Sequence, residues 1–162
     1  MSKTPAATAA ISFEAPVGWV TVEATGEKIT GLTMTSRKGA EFGSSAVLRE
    51  AKQQLLAYFA GKLTKFDLPV ELNGTEFQKA VWKQISKIPF GKTLSYADIA
   101  KKLGKPLASR AVGGAVGSNP VPLVVGCHRV MGASGRITGY SGGEGIPTKR
   151  WLLALEQIKS AD

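Results

Sequence analysis

The sequence contains one cysteine, Cys127, and one histidine, His128, among 162 residues. A single cysteine forbids an internal disulfide. One Cys and one His fall short of the about three or four protein ligands of a usual zinc site unless carboxylates fill in, so no metal is expected. No apolar run approaches the ~20 residues that a membrane span needs, which argues against a membrane partner. Met1 to Ala10 carries one Lys and no apolar segment of the secretory kind, so a cytoplasmic location is expected. Acidic residues are scarce in the second half. Residues 74–162 hold thirteen Lys/Arg against five Asp/Glu, whereas residues 1–73 hold eight against seven. The net charge of +9 therefore sits almost wholly in the second half. Such a balance suggests a polyanion as partner; a surface that is merely rich in lysine is the alternative. A hydrophobic fraction of 43% and a charged fraction of 20% are those of an ordinary globular protein, which excludes a disordered tail, a collagen or a long coiled coil.

Residues 11–35 alternate like strands, with turns at Pro16-Val17-Gly18 and Gly26-Glu27-Lys28, and predict an antiparallel meander. Ser44 or Ser45 then opens a helix with Val47, Leu48, Ala51, Leu55, Tyr58 and Phe59 at helical spacing, and Gly61 stops it. Leu63 to Leu72 reads as extended. Asn73-Gly74, a turn-forming pair where the charge balance changes, is the expected domain boundary. Thr75 with Gln78, and Ser95 with Asp98, have the spacing of capping boxes.

The helix from Ser95 closes at Gly104, and another runs from Ala108 to Gly117, giving a helix-turn-helix outline. Gly113 and Gly114 cost that second helix about 1 kcal/mol each against alanine. Small residues on one face permit close approach of another backbone, either nucleic acid or a packed helix. Val121 to Val125 reads as a buried strand leading into Gly126-Cys127-His128-Arg129, a rigid approach to a reactive group. A lone cysteine is otherwise most often a small buried hydrophobe. Gly132 to Gly143 forms a glycine-rich loop. A last helix, about Pro147 to Ile158, turns Trp151, Leu152, Leu155 and Ile158 inward and carries Glu156.

Residues 74–160 resemble the active-site domain of the O6-alkylguanine-DNA alkyltransferases. The matching stretches are Gly74-Thr75-Glu76-Phe77-Gln78, Val81-Trp82, Ile88-Pro89-Phe90-Gly91, Ser95-Tyr96, Arg110-Ala111-Val112-Gly113-Gly114-Ala115 and Asn119-Pro120. Cys127-His128-Arg129-Val130, Gly139-Tyr140-Ser141-Gly142-Gly143 and Lys149 to Glu156 follow in the family's order. Tyr58-Phe59-Ala60-Gly61 and Phe66-Asp67-Leu68-Pro69 are the best local matches to the family's first domain. The resemblance implies an α/β N-terminal domain over 1–73, a small antiparallel sheet plus helix of ribonuclease-H-like kind. A mostly α domain over 74–162 follows, with the helix-turn-helix and the Cys loop.

The activity so implied is transfer of a methyl or larger alkyl group from O6 of guanine, or O4 of thymine, to Cys127, once per molecule and without a cofactor. The family's roles fall on Cys127 as acceptor, His128 as base through a water and Glu156 as the group that orients and charges His128. Tyr96 donates towards N3 and Ser141 towards O6, the Cys127 and Val130 carbonyls accept from the exocyclic amine, and Tyr140 lines the pocket. Asn119 ties the helix-turn-helix to the Cys loop, and Arg129 reads as structural. The implied partner is duplex DNA bound through the minor groove, by a monomer, with the damaged base flipped out. Arg110 would fill the gap, and Ser109, Ala111, Gly114, Thr93 and Ser95 would meet the backbone. A helix-turn-helix protein that binds DNA or lesions without chemistry is the alternative, against which Cys127 argues. One departure stands out: Gly126 occupies the position of the family's proline before Cys-His-Arg. Added freedom there implies slower reaction or lower stability, not lost chemistry.

Overall fold

In the computed structural model the chain forms two units, Met1–Asn73 and Gly74–Asp162. Residues 6–161 are described; the reading of the first ten residues falls partly outside them.

The first unit is built on three strands, β1 (Ala9–Ala15), β2 (Gly18–Thr25) and β3 (Lys28–Thr35), in the order β1-β2-β3 and antiparallel throughout. Alternation sets which face is buried. Phe13 pairs with Val20 and Val20 with Met34, and Ile11 pairs with Val22 and Val22 with Leu32, so these residues share a face. Helix α1 (Ala46–Phe59) packs on that sheet through Val47, Leu48, Ala51, Leu55, Tyr58 and Phe59. Ser45 does stand at the N-cap, but its side chain does not cap. Its hydroxyl donates to the Gly26 carbonyl, and Glu27 Oε2 accepts from Val47 N at 3.2 Å in its stead. The stretch after α1 meets β3 by a single bridge, Ile29 with Val70, where Ile29 N donates to Pro69 O at 2.9 Å. Pro69 has no N–H to extend a ladder.

The second unit opens with α2 (Glu76–Ser86), closed at its start by the reciprocal Thr75/Gln78 capping box. Val81, Trp82 and Ile85 are its buried stripe, while Phe77 is only half-buried. Helix α3 (Tyr96–Lys102) begins with the Ser95/Asp98 box. Gly104, at φ 72, then reverses the chain in the left-handed region that a helix C-terminus favours. Helix α4 (Ser109–Gly117) packs on both α2 and α3, and Trp82 Nε1 donates to Ala115 O at 2.8 Å. A two-residue parallel pair, β4 (Leu94–Ser95) with β5 (Val130–Met131), joins the start of α3 to the segment after Cys127. Local pattern gave no hint of it.

Two expectations need correction. Val121–Val125 is buried except at the half-buried Val124, but it is not a strand: Pro122 and Val125 form one isolated bridge, and Leu123 sits at φ 75. Pro120 and Pro122 withhold the donors that a strand would need. The last helix, α5, spans Ile146–Leu155 and not Pro147 to Ile158, because Gln157 at φ 58 ends it. Of the residues expected inward only Leu152 is fully so: Trp151 is on the exposed side and Leu155 and Ile158 are half-buried, while Lys149 and Leu153 are turned inward with Leu152. Among the described residues no helix is long and apolar enough to cross a membrane.

Candidate active site and nucleic-acid interface

Asn119 organises the approach to Cys127. Its Nδ2 donates to Val125 O at 2.8 Å and its Oδ1 accepts from Val121 N at 3.0 Å, so one buried amide clamps both ends of the apolar loop. Because Asn119 follows α4 directly, the clamp links that helix to the cysteine. Gly126 comes next, with φ −73 and ψ 62, while Cys127 N donates to Val125 O at 2.7 Å. This is an inverse γ-turn. Cys127–Arg129 then form one turn of 3-10 helix.

Proline suits the conformation at Gly126, whose N–H donates to no group among the described residues. A Cβ there would lie 3.1 Å from Arg129 Nη1 and 3.2 Å from its Cζ, so the guanidinium must yield by a few tenths of an ångström. Gly126→Pro is expected to stabilise the protein by about 0.4–1 kcal/mol through the unfolded chain. Calorimetry should find Tm raised by about 1–4 °C. Gly126→Ala, with the same contact but no ring, should gain less; a fall in Tm for both variants would mean that Arg129 cannot move.

Cys127 is 3% exposed and lines a cleft of about 280 Å³. Tyr96, Gly113, Val116 and Gly117 line it from α3 and α4; Gly139, Tyr140 and Ser141 line it from the glycine-rich loop and Lys149 from α5. Tyr96 is the first residue of α3, and its hydroxyl accepts from Thr138 Oγ1 at 3.3 Å, a link to the glycine-rich loop that the motif reading missed. Lys149 was missed as well. It is 1% exposed, and its Nζ donates to Val130 O at 2.6 Å and to Gly139 O at 3.2 Å. Only its place in a matching stretch of sequence could have drawn attention to it. Burial pushes the Cys127 thiol above its ordinary value, and hydrogen bonds from Asn119 and Tyr140 and the Lys149 charge only partly oppose this. A thiol already ionised at rest is therefore not what the fold provides; a proton acceptor is needed.

His128, next to Cys127 in the same 3-10 turn, and Glu156, at the C-terminus of α5, are 0% and 2% exposed. His128 Nε2 and Glu156 Oε2 are 2.5 Å apart. Glu156 also accepts from Arg129 Nε at 2.8 Å, Arg129 Nη2 at 3.1 Å and Gly91 N at 3.0 Å. Burial pulls His128 below its ordinary value, Glu156 pulls it up, and the Arg129 and Lys149 charges pull it down again.

The exposed side of α4 carries Arg110, Ala111, Gly114 and Gly117, with Val112, Ala115 and Val116 turned into the core. A Cβ at Gly114 or Gly117 would meet nothing within 4 Å, so packing inside the protein does not require glycine there. At Gly113 it would come within 3.9 Å of the Tyr96 ring, an ordinary contact. Thr93 is exposed and Ser109 half-buried; Ser95 is also half-buried, with its hydroxyl engaged as the α3 cap, accepting from Asp98 N at 3.0 Å.

A buried thiol opening on a base-sized cleft beside a helix-turn-helix, and followed in the same turn by an imidazole paired to a carboxylate, defines a thiol group-acceptor joined to a nucleic-acid-binding motif. Residues 76–158 match the family model described as 6-O-methylguanine DNA methyltransferase, DNA binding domain, and residues 10–72 the one described as its ribonuclease-like domain. The chain belongs to the 6-O-methylguanine DNA methyltransferase family. It is similar to the methylated-DNA--protein-cysteine methyltransferase of Mycolicibacterium paratuberculosis, 46% identical over 155 residues, 92% of each chain. The Methanosarcina acetivorans protein of the same name is 45% identical over 150 residues, 89% of this chain and 95% of that one. The crystal structure of Mycobacterium tuberculosis OGT in complex with DNA aligns with TM-score 0.84 and 45% identity, covering 91% of this chain and 92% of that one.

Proposed function

We propose that this protein repairs DNA by direct reversal, moving an alkyl group from O6 of guanine, or O4 of thymine, irreversibly to Cys127. The observation that carries this reading is the placement of Cys127 on the cleft wall with the next residue, His128, buried in the same turn and paired to Glu156. The thiol proton passes through a water to His128, and Glu156 stabilises the imidazolium that results. The sulfur attacks the alkyl carbon in line, the carbon–oxygen bond breaks, and its electron pair goes to the base oxygen. Lys149 lowers the cost of the thiolate in transit. Tyr96 donates towards N3 and Ser141 towards O6, offsetting the charge that develops on the base. Tyr140 walls the cleft. The Val130 carbonyl accepts from the exocyclic amine with the lone pair that Lys149 leaves open. A thioether offers no route back, so each molecule acts once, and no step calls for a cofactor.

The target must leave the duplex, at a cost of a few kcal/mol. Residues 74–162 form the DNA-binding and active-site domain in this reading. The open face of α4 enters the minor groove, where Ala111 and Gly114 let it lie against the sugar–phosphate walls while Ser109, Thr93 and Ser95 meet phosphates. Arg110 takes the place of the extruded base. The basic half supplies phosphate affinity that salt should weaken. The protein acts as a monomer in the cytoplasm.

Intact-mass measurement tests the reading. After incubation with a duplex carrying O6-methylguanine, the protein should gain one methyl group and no more, on the peptide containing Cys127. Cys127→Ser should gain none and should still bind the duplex. Binding without any adduct on the unaltered protein would leave a lesion binder, and more than one product per molecule would exclude suicide transfer.

A further inference from the structure

We propose that Arg129 is a positioning residue for this transfer: its guanidinium offsets the charge of Glu156, so the carboxylate fixes the imidazole of His128 by a hydrogen bond without holding it charged at rest. The inference rests on the alkyl-transfer reading above and assigns a role to a side chain that motif comparison leaves as structure.

Both oxygens of Glu156 are taken. Arg129 reaches one through Nε at 2.8 Å and the other through Nη2 at 3.1 Å, the paired fork that suits a carboxylate. The remaining arm is fixed too, since Nη1 donates to Ile88 O at 2.8 Å and the guanidinium carbon lies 6.0 Å from the Phe90 ring centre. Glu156 Oε1 also holds Gly91 N. The turn from Ile88 to Gly91 thus fixes the pair from a second direction, and Arg129 is only 8% exposed.

A lone carboxylate 2.5 Å from an imidazole, sealed from water, would hold that ring as imidazolium. An imidazolium cannot take the proton of a thiol. With Arg129 in place the acid and the guanidinium present no net charge. The other ionisable group that acts on the ring is Lys149 on α5, which also acts on the Cys127 thiol, and no further acid among the described residues joins Glu156. Both cations act against charge on the ring, as does its burial. The imidazole then rests neutral, ready to accept.

Because His128 is the chain's single histidine, imidazole C–H resonances of untagged protein report on it alone. Arg129→Gln should move its titration midpoint upward by about 1 unit or more. The acid limb of the transfer rate should move with it, and Arg129→Lys should bring both back towards the starting protein. Arg129→Gln combined with Glu156→Gln removes both charges and tolerates the loss better than either alone. Its midpoint should fall well below that of Arg129→Gln, because the acid that raises the ring is removed together with the guanidinium that restrains it. An unmoved midpoint in folded Arg129→Gln, or a double variant whose midpoint stays as high as that of Arg129→Gln, would overturn the proposal. Adduct formation by the unaltered protein is measured separately, so failure of the alkyl-transfer reading would be seen as such.

Discussion

Glutamine in place of Glu156 is expected to destabilise the protein by about 3–5 kcal/mol, because it strands the buried guanidinium of Arg129. A glutamine amide also turns N–H donors towards groups that themselves donate, and leaves one of them without an acceptor. Total stabilities run to about 5–15 kcal/mol, so this one change removes a large share. Tm should fall by roughly 6–20 °C. Alkyl transfer by the protein that remains folded should slow, since nothing then stabilises the imidazolium formed when the thiol gives up its proton. The route is through His128, whose imidazole Glu156 holds together with Arg129 and Gly91.

The pH dependence follows from the same groups. His128 is held below its ordinary value, so near pH ~6.5 the unfolded chain binds the proton that the folded protein refuses. Stability is lost as pH falls below that range. Cys127 is held above its ordinary value, so it is the unfolded chain that releases a proton first, and stability is lost as pH rises past about 8.5. A plateau between the two is expected. Glu156→Gln removes the influence that raises His128, so its acid-side loss should be the steeper. Urea midpoints across a pH series would show both limbs, and a loss that does not depend on pH would detach Glu156 from His128.

What was legible in the sequence was local. Two capping boxes were readable because a hydroxyl and a carboxyl or amide three residues apart meet by helix geometry alone. The meander was readable because alternation fixes a face. Val121 to Val125 defeated the same reasoning, since apolar runs are common to buried strands and buried loops; what decides is Asn119 gripping Val121 and Val125, a tertiary fact. Lys149 defeated it too. An inward lysine contradicts any hydropathy pattern until two carbonyls, on Val130 and Gly139, are brought to its amine. The assembly around Glu156 draws on Ile88, Gly91, His128 and Arg129, which no local pattern joins. Family resemblance supplied His128 and Glu156 there. It gave Arg129 nothing to do.

Removing the side chain of Arg110 should separate extrusion from chemistry. Arg110 is exposed on α4, and no acid pairs with it among the described residues. A planar guanidinium that replaces a base in the stack recovers about 1–3 kcal/mol of stacking. Arg110→Ala should therefore slow repair of O6-methylguanine in duplex DNA by roughly 5–150-fold. Reaction with free O6-benzylguanine, which needs no extrusion, should change by no more than about 2-fold, because the cleft, Cys127 and His128 are untouched. Lysine at this position separates two explanations. It keeps the charge and loses the plane, so a side chain that only meets phosphate would be replaced well, whereas one that fills the stack would not. Duplex repair by Arg110→Lys should thus stay close to the alanine level at salt high enough to screen phosphate contacts. Full recovery with lysine, or equal losses on both substrates, would make Arg110 one more basic residue of a basic surface.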